Sequence, residues 1–339
     1  MKISVGKDYI SKRTIPANAD ELNINNFAHE LEKLIPSSHY LNTRESYVIN
    51  QNIFSIKNIR FYSKYTHYPK TKKFDIFKLL LKNLFKAEYE VQNIENGIWI
   101  YDDKATTYYH FIFDTLQRYL MVSDRYKNFY VLVPEVYMTS WMSDHLKFLK
   151  IKYKILKKNQ LYKFNNLIIP FYSAPSGNFN YAVLKKLRTL YLSNFENVNK
   201  SKFKLNNQRR VWIERLDARR SLANDIDIKQ ILNKYNFEII IPEKLNINEM
   251  ISVILDSSII AGLHGSGLAN VLFANPNSKL IDIREIGDNL RNAIFSLSSD
   301  LKIKYYCFFL SEKINKSEKL FINPEKFEEK LIKAINKIN

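Results

Sequence analysis

The chain has 339 residues, long for one domain and enough for two that each bury a core. Its hydrophobic content of 46% with 14% aromatics excludes a disordered protein. A formal charge of +18 favours polyanions, anionic lipid surfaces or phosphorylated substrates, but the lysines are spread along the chain and select none of these.

The single cysteine, Cys307, excludes an internal disulfide and suits a reducing compartment. No run approaches the roughly 18 apolar residues of a membrane span, and the first residues lack the apolar core of a signal peptide. The expectation is a soluble cytoplasmic protein.

In chain order, residues 1 to about 60 carry weak strand signals at 46–49 and 56–62. Over 70–86, Phe74, Phe77, Leu80, Leu81, Leu84 and Phe85 recur at helical spacing with lysines between them. This predicts a basic amphipathic helix, which either packs its stripe on the core or lies on an anionic membrane surface. Strands are predicted at 97–101, 129–133, 152–156 and 166–170, with helices from Tyr109 and over 139–149 and 181–195. Such alternation implies a largely parallel sheet.

The polar, aperiodic stretch 196–208 marks a boundary. Beyond it strands are predicted at 210–213, 237–241, 259–262, 280–283 and 303–310. Helices are predicted at 225–235, 247–255, after the glycines near 265, at 289–297 and from Pro324. That is a doubly wound nucleotide-binding pattern, whose ligands bind beyond the strands' C-terminal ends.

At one such end stands His264-Gly265-Ser266-Gly267-Leu268-Ala269-Asn270, in a chain with only seven glycines. Strand, glycine-rich turn and helix expose backbone N–H groups where a phosphate can sit, with glycine permitting close approach of the ligand. The same stretch reads equally as a tight turn around a core histidine. A serine-nucleophile elbow is excluded, because the positions two before and two after Ser266 are His264 and Leu268 rather than glycines.

After the strand at 210–213 come Arg215, Arg219 and Arg220, guanidinium forks suited to a diphosphate. Asp225 and Asp227 fall in a helix's first turn behind Asn224, a natural N-cap, and are read as complementing the helix dipole rather than as metal ligands. Further upstream, His110 and Asp114 share a helix face, which makes them either a general-base pair or a buried, hydrogen-bonded histidine. No second His/Asp pair or cysteine cluster completes a metal site.

Taken together these segments resemble glycosyltransferase family 61, the group that includes bacterial capsular polysaccharide biosynthesis proteins. The resemblance is strongest over residues 205–285. It rests on Ile213-Glu214-Arg215, Arg219-Arg220, Asn224-Asp225, Pro242-Glu243 and His264-Gly-Ser-Gly-Leu-Ala-Asn270, with His110-x-x-x-Asp114 upstream. Ser266 stands where alanine is usual, Thr107 where many relatives carry asparagine, and Gln117 where proline is common.

The resemblance implies an α/β protein with two Rossmann-like domains of the GT-B type facing across a cleft. Residues 1–200 would form the acceptor-side domain, 201–310 the nucleotide-sugar domain and 311–339 a C-terminal helix. It also implies an inverting, metal-independent transfer from a nucleotide-sugar to a saccharide or lipid-linked saccharide, in capsular or other cell-surface polysaccharide synthesis. No cofactor beyond the donor is expected.

Donor-binding residues would be Arg215, Arg220, Asn224, Glu243, His264, Gly265, Ser266, Gly267 and Asn270. His110 and Asp114 would be catalytic, in either order of roles. Peripheral contact of 70–86 with the inner face of the cytoplasmic membrane would give the basic charge a use. Competing readings are a basic nucleic-acid-binding protein without catalysis, for which no recognised motif stands in the chain, and a sugar-nucleotide epimerase or a phosphorylase on the same fold.

Overall fold

Apolar runs bounded by turn residues form the sheets of the computed structural model, which describes residues 1–339 except 56, 58–59, 67–90, 200–205, 215–220, 289–290, 314–318 and 337–339. The predicted basic helix at 70–86 and Arg215, Arg219 and Arg220 therefore lie outside the described residues. Contacts group the chain into two units. The first holds Met1–Tyr9, Pro36–Ser176 and Asn180–Leu190, and the second Ile10–Ile35, Gly177–Phe179 and Tyr191–Asn339.

The strands of the first part of the chain are β1 (Lys2–Val5), β2 (Tyr9–Lys12), β3 (Glu32–Ile35), β4 (Ser38–Ile49), β5 (Asn52–Ser55), β6 (Arg60–Phe61), β7 (Gln92–Trp99), β8 (Tyr130–Pro134), β9 (Tyr153–Leu156) and β10 (Leu161–Pro170). The remainder are β11 (Arg209–Ile213), β12 (Phe237–Ile240), β13 (Ser257–Leu263), β14 (Lys279–Glu285), β15 (Lys304–Lys313) and β16 (Leu320–Ile322).

In the first unit the sheet runs β6-β5-β4-β10-β7-β8-β9, with β1 also on β4. Only the β10-β7-β8-β9 part is parallel, while β1, β4, β5 and β6 pair antiparallel. The four strands predicted between 97 and 170 thus form the parallel part, as expected, and antiparallel strands from the first 61 residues extend the sheet. The long β4 comes from residues whose alternation is masked by burial on both faces, so it shows no clear period of two. A two-residue turn with Asn50 at φ 54° folds β5 back on it. Trp99, Leu132, Leu167 and Ile168 from the parallel strands, with Phe111, Leu116 and Leu146 from the helices, are almost wholly buried and form this unit's core.

In the second unit the sheet order is β12-β11-β13-β14-β15-β16, parallel except for β16. One face packs Trp212, Ala261, Ile281 and Phe308 against Ile228 and Leu232 of the helix Asp225–Lys234 and Phe327 and Leu331 of the helix Pro324–Asn336.

Residues 10–35 also belong to this unit, and they close it. Over 305–307 the edge of β15 that faces away from β14 is met by main-chain and side-chain bonds from residues 17 and 18. Ala17 N donates to Tyr305 O, while the Asn18 amide both accepts from Cys307 N and donates to Cys307 O. An uncovered strand edge is a template for aggregation, and this segment blunts it.

Arg13, whose side chain is fully buried, holds the segment by donating to Glu30 and Asn178, with Asp300 beside its Nε. Phe27, also fully buried, sits edge-on against Phe295 and Tyr305.

Candidate functional site

The strand order of the second unit places a topological switch point between β11 and β13. From β11 the chain crosses to β12 on one side, then returns past β11 to lay down β13 on the other. Loops leaving the C-terminal ends of two such strands diverge and leave a crevice, where open α/β sheets bind their ligands. At this point β13 delivers His264, followed by Gly265 and the short 3₁₀ helix Ser266–Phe273. Its first-turn amides have no intrahelical acceptor, the property that suits a helix start to an anion.

Protein packing accounts for two of the glycines. A Cβ on Gly267 would lie 2.9 Å from Ile213 Cγ2, and one on Gly262 would lie 3.0 Å from Ile213 O. The helix start is therefore pressed onto the end of β11. The predicted reason, close approach of a ligand, is joined by a second one inside the fold. Gly267→Ala is expected to destabilise the protein by about 1–3 kcal/mol in denaturant unfolding. Ile213 is buried and β-branched, so it yields little. In an Ile213→Ala background, which removes Cγ2, the same change should cost measurably less.

Asn270 is buried and its Nδ2 donates to Gly267 O at 2.9 Å, so it fixes the turn. Asn224 sits at the N-cap position but makes no side-chain cap bond there. Its amide instead accepts from Ile322 N and donates to Ile322 O, tying the segment after β11 to β16. Lys229 bridges Glu214 and Asp225, each at 2.6 Å, so the acidic first turn of that helix is ion-paired to the end of β11. Glu243 is exposed in the 3₁₀ turn Pro242–Lys244, just past β12 at the same sheet edge.

His264 is held by residues that the sequence reading passes over. Its Nδ1 lies 2.8 Å from Asp282 Oδ2, and Tyr305 Oη donates to the same oxygen at 2.8 Å. Asp282 is completely buried in the middle of β14. Burial, and next the Asp282 charge, hold the Tyr305 phenol well above its ordinary range, so it remains a neutral donor. A carboxylate between apolar neighbours, Leu280-Ile281-Asp282-Ile283, is the signal that could have found it, since an acid in a buried strand needs a partner.

In the first unit His110 ends the helical turn Tyr108–His110, which runs on through a π turn, Phe111–Thr115, into Leu116–Leu120. Such π insertions occur often at functional positions. Here the turn carries Asp114, whose Oδ2 lies 2.6 Å from His110 Nδ1 and accepts from Ser176 Oγ at 3.1 Å. The His110 side chain is 24% exposed and that of Asp114 only 8%, so the imidazole is the accessible member.

Asp102, at the end of the neighbouring strand, is an anchor instead, accepting from Tyr172 Oη and Arg118 Nη1. Gln117 accepts from Ser173 Oγ. His145 is a packing ring against Tyr108, Phe111 and Trp141, and burial drives its pKa down to about 4, which keeps it neutral.

Among the described residues each unit thus presents one histidine–aspartate pair, and the second unit adds a glycine turn at a switch point. Among the described residues no cluster of three or more His, Cys, Asp or Glu is placed to hold a metal ion. No described helix is long and apolar enough to cross a membrane. A family model described as Glycosyltransferase 61 matches residues 108–281, just over half the chain, from the helix of His110 into β14. A comparison with curated proteins finds no match.

Proposed function

The chain belongs to glycosyltransferase family 61, and on that premise we propose that it moves a sugar from a nucleotide-sugar donor to a saccharide hydroxyl, with inversion and without a metal ion. The observation that carries this reading is the switch point of the second unit, where the His264–Gly267 turn and the end of β11 share the edge at which parallel sheets bind nucleotides. There the amides of Gly265, Ser266 and Gly267 and the His264 ring receive the donor's diphosphate. Asn270 and Asn224 hold the segments that form the site, and Glu243 flanks it. Arg215 and Arg220 follow β11 in sequence and supply further positive charge.

Inversion needs one displacement at the anomeric carbon, and therefore one base for the acceptor hydroxyl and no enzyme nucleophile. His110 fits that role. Asp114 accepts a hydrogen bond from Nδ1–H and orients the ring, which leaves Nε2 as the nitrogen with a lone pair. Asp114 itself already accepts two hydrogen bonds and is less exposed, which favours this order of roles over the reverse. The product belongs to capsular or other cell-surface polysaccharide, made at the inner face of the membrane, with residues 70–86 as the contact.

A panel of nucleotide-sugars in a thermal-shift assay with EDTA tests the donor assignment. One donor should raise the melting temperature, by mass action on the folded form, and the rise should disappear in Arg215→Ala or Arg220→Ala. A rise that requires added divalent metal would overturn metal independence, and no rise with any donor would remove the donor site.

A further inference from the structure

The pair formed by His264 and Asp282 has a setting that the family match, ending at residue 281, does not reach. Asp282, Arg284 and Tyr305 lie on one face of the sheet. Gly262 pairs with Asp282 across β13 and β14, and His264 N donates to Ile283 O, so the ring stands over the C-terminal end of that face. Arg284 is fully buried two residues beyond Asp282. Its Nη1 donates to Asn292 Oδ1 at 2.7 Å, and its Nη2 lies 3.3 Å from Asp288 Oδ1. Asp282 Oδ1 is buried with no hydrogen-bond partner among the described residues.

Charges in such a place must balance, because an uncompensated buried ion costs several kcal/mol. Arg284 and Arg291 both lie beside Asp288, at 3.3 and 3.8 Å. Among the described residues, the only group hydrogen-bonded to the Asp282 carboxylate that can become a cation is His264, since Tyr305 stays neutral. The other titratable groups facing this cluster are Cys307, on the same face of β15 and held well above its usual range by burial, and His29, near Asn292. The 3₁₀ helix Ser266–Phe273 brings no titratable side chain.

We propose that His264 meets the leaving nucleoside diphosphate as an imidazolium, and that Asp282 and Tyr305 are the positioning residues that keep it charged and oriented. The inference rests on the donor-site reading above and adds to it the charge state and the residues that set it. In the transfer step the bond from the anomeric carbon to the diphosphate oxygen breaks, and its electron pair goes to that oxygen. The acceptor oxygen forms the new bond to carbon and gives its proton to His110. The imidazolium stabilises the negative charge arriving on the leaving oxygen, and no redox partner is needed.

The test uses the full chain with UDP, GDP and dTDP as probes, in EDTA, between pH 6 and 9. Histidine ring signals are followed by NMR, with His264→Gln identifying the resonance among the six histidines, while calorimetry reads affinity. With the nucleotide that binds, the His264 titration should move up by about one pH unit, equivalent to about tenfold tighter binding of the protonated ring. Asp282→Asn should move it down in the free protein and weaken binding by about tenfold. Tyr305→Phe, which removes a hydrogen bond and no charge, should do the same to a smaller degree.

A nucleotide that binds without moving the His264 titration overturns the inference and leaves the donor site standing. Failure of all three nucleotides to bind the wild-type chain removes the donor site and the inference together. Should Asp282→Asn not fold, the wild-type titration decides alone.

Discussion

Replacing His110 with Ala is expected to lower kcat by about 10²–10⁴-fold, the range a positioned general base contributes, with the donor's thermal shift unchanged. The two readouts separate chemistry from binding, because His110 belongs to the first unit and the proposed donor contacts to the second. Asp114→Asn should also lower kcat, by a smaller factor. The neutral amide leaves the ring in place but no longer favours the tautomer with its proton on Nδ1. Ser176→Ala removes only one hydrogen bond to Asp114 and should have the mildest effect of the three. Full activity in His110→Ala would assign the base elsewhere and leave the pair as a packed, hydrogen-bonded histidine.

The second large effect is on stability. Phe27→Ala should cost about 3–5 kcal/mol, the usual loss when a buried aromatic leaves a cavity. Phe27 is completely buried against Phe295 and Tyr305, and the ring faces Arg284. The loss should therefore appear across the second unit, whose main sheet begins far along the chain from Phe27, at Arg209. Denaturant unfolding followed by Trp212, which lies in that unit's core, reads it directly. An unchanged unfolding midpoint would mean that residues 10–35 contribute little to holding the unit together.

How far the fold could be read depended on how each element buries its side chains. The second unit was legible because its strands are short, apolar and separated by amphipathic helices. The predicted helix at 247–255 matches the observed Ile247–Leu255, and strand β14 extends the predicted 280–283 by one residue before and two after. The antiparallel strands at 38–61 show only as the short signals at 46–49 and 56–62, since most of β4 is buried on both faces and loses its alternation. The segment 10–35 carries no period at all, because it binds through single residues such as Arg13, Asn18 and Phe27 rather than through a face.

At the site, His110 with Asp114 and the His264–Asn270 turn were visible as local spacings. Asp282 and Tyr305 were not, since they reach His264 only through strand register across β13, β14 and β15. Glycine offers the opposite lesson. Gly267 stands out in the sequence, but the neighbour that a side chain there would meet is Ile213, which no local pattern could supply.

The reach of residues 10–35 to β15 also sets an order of events during synthesis. Asn18 and Phe27 leave the ribosome some 280 residues before their partners Tyr305 and Cys307, roughly 15–55 s at ordinary elongation rates. Throughout that interval Phe27 and Arg13 have no place to be buried and are open to holding factors and proteases. The first unit, which ends at Leu190 by its contacts, can fold in the meantime. The second unit closes only after translation has delivered β15, and residues 10–35, made long before it, settle only then.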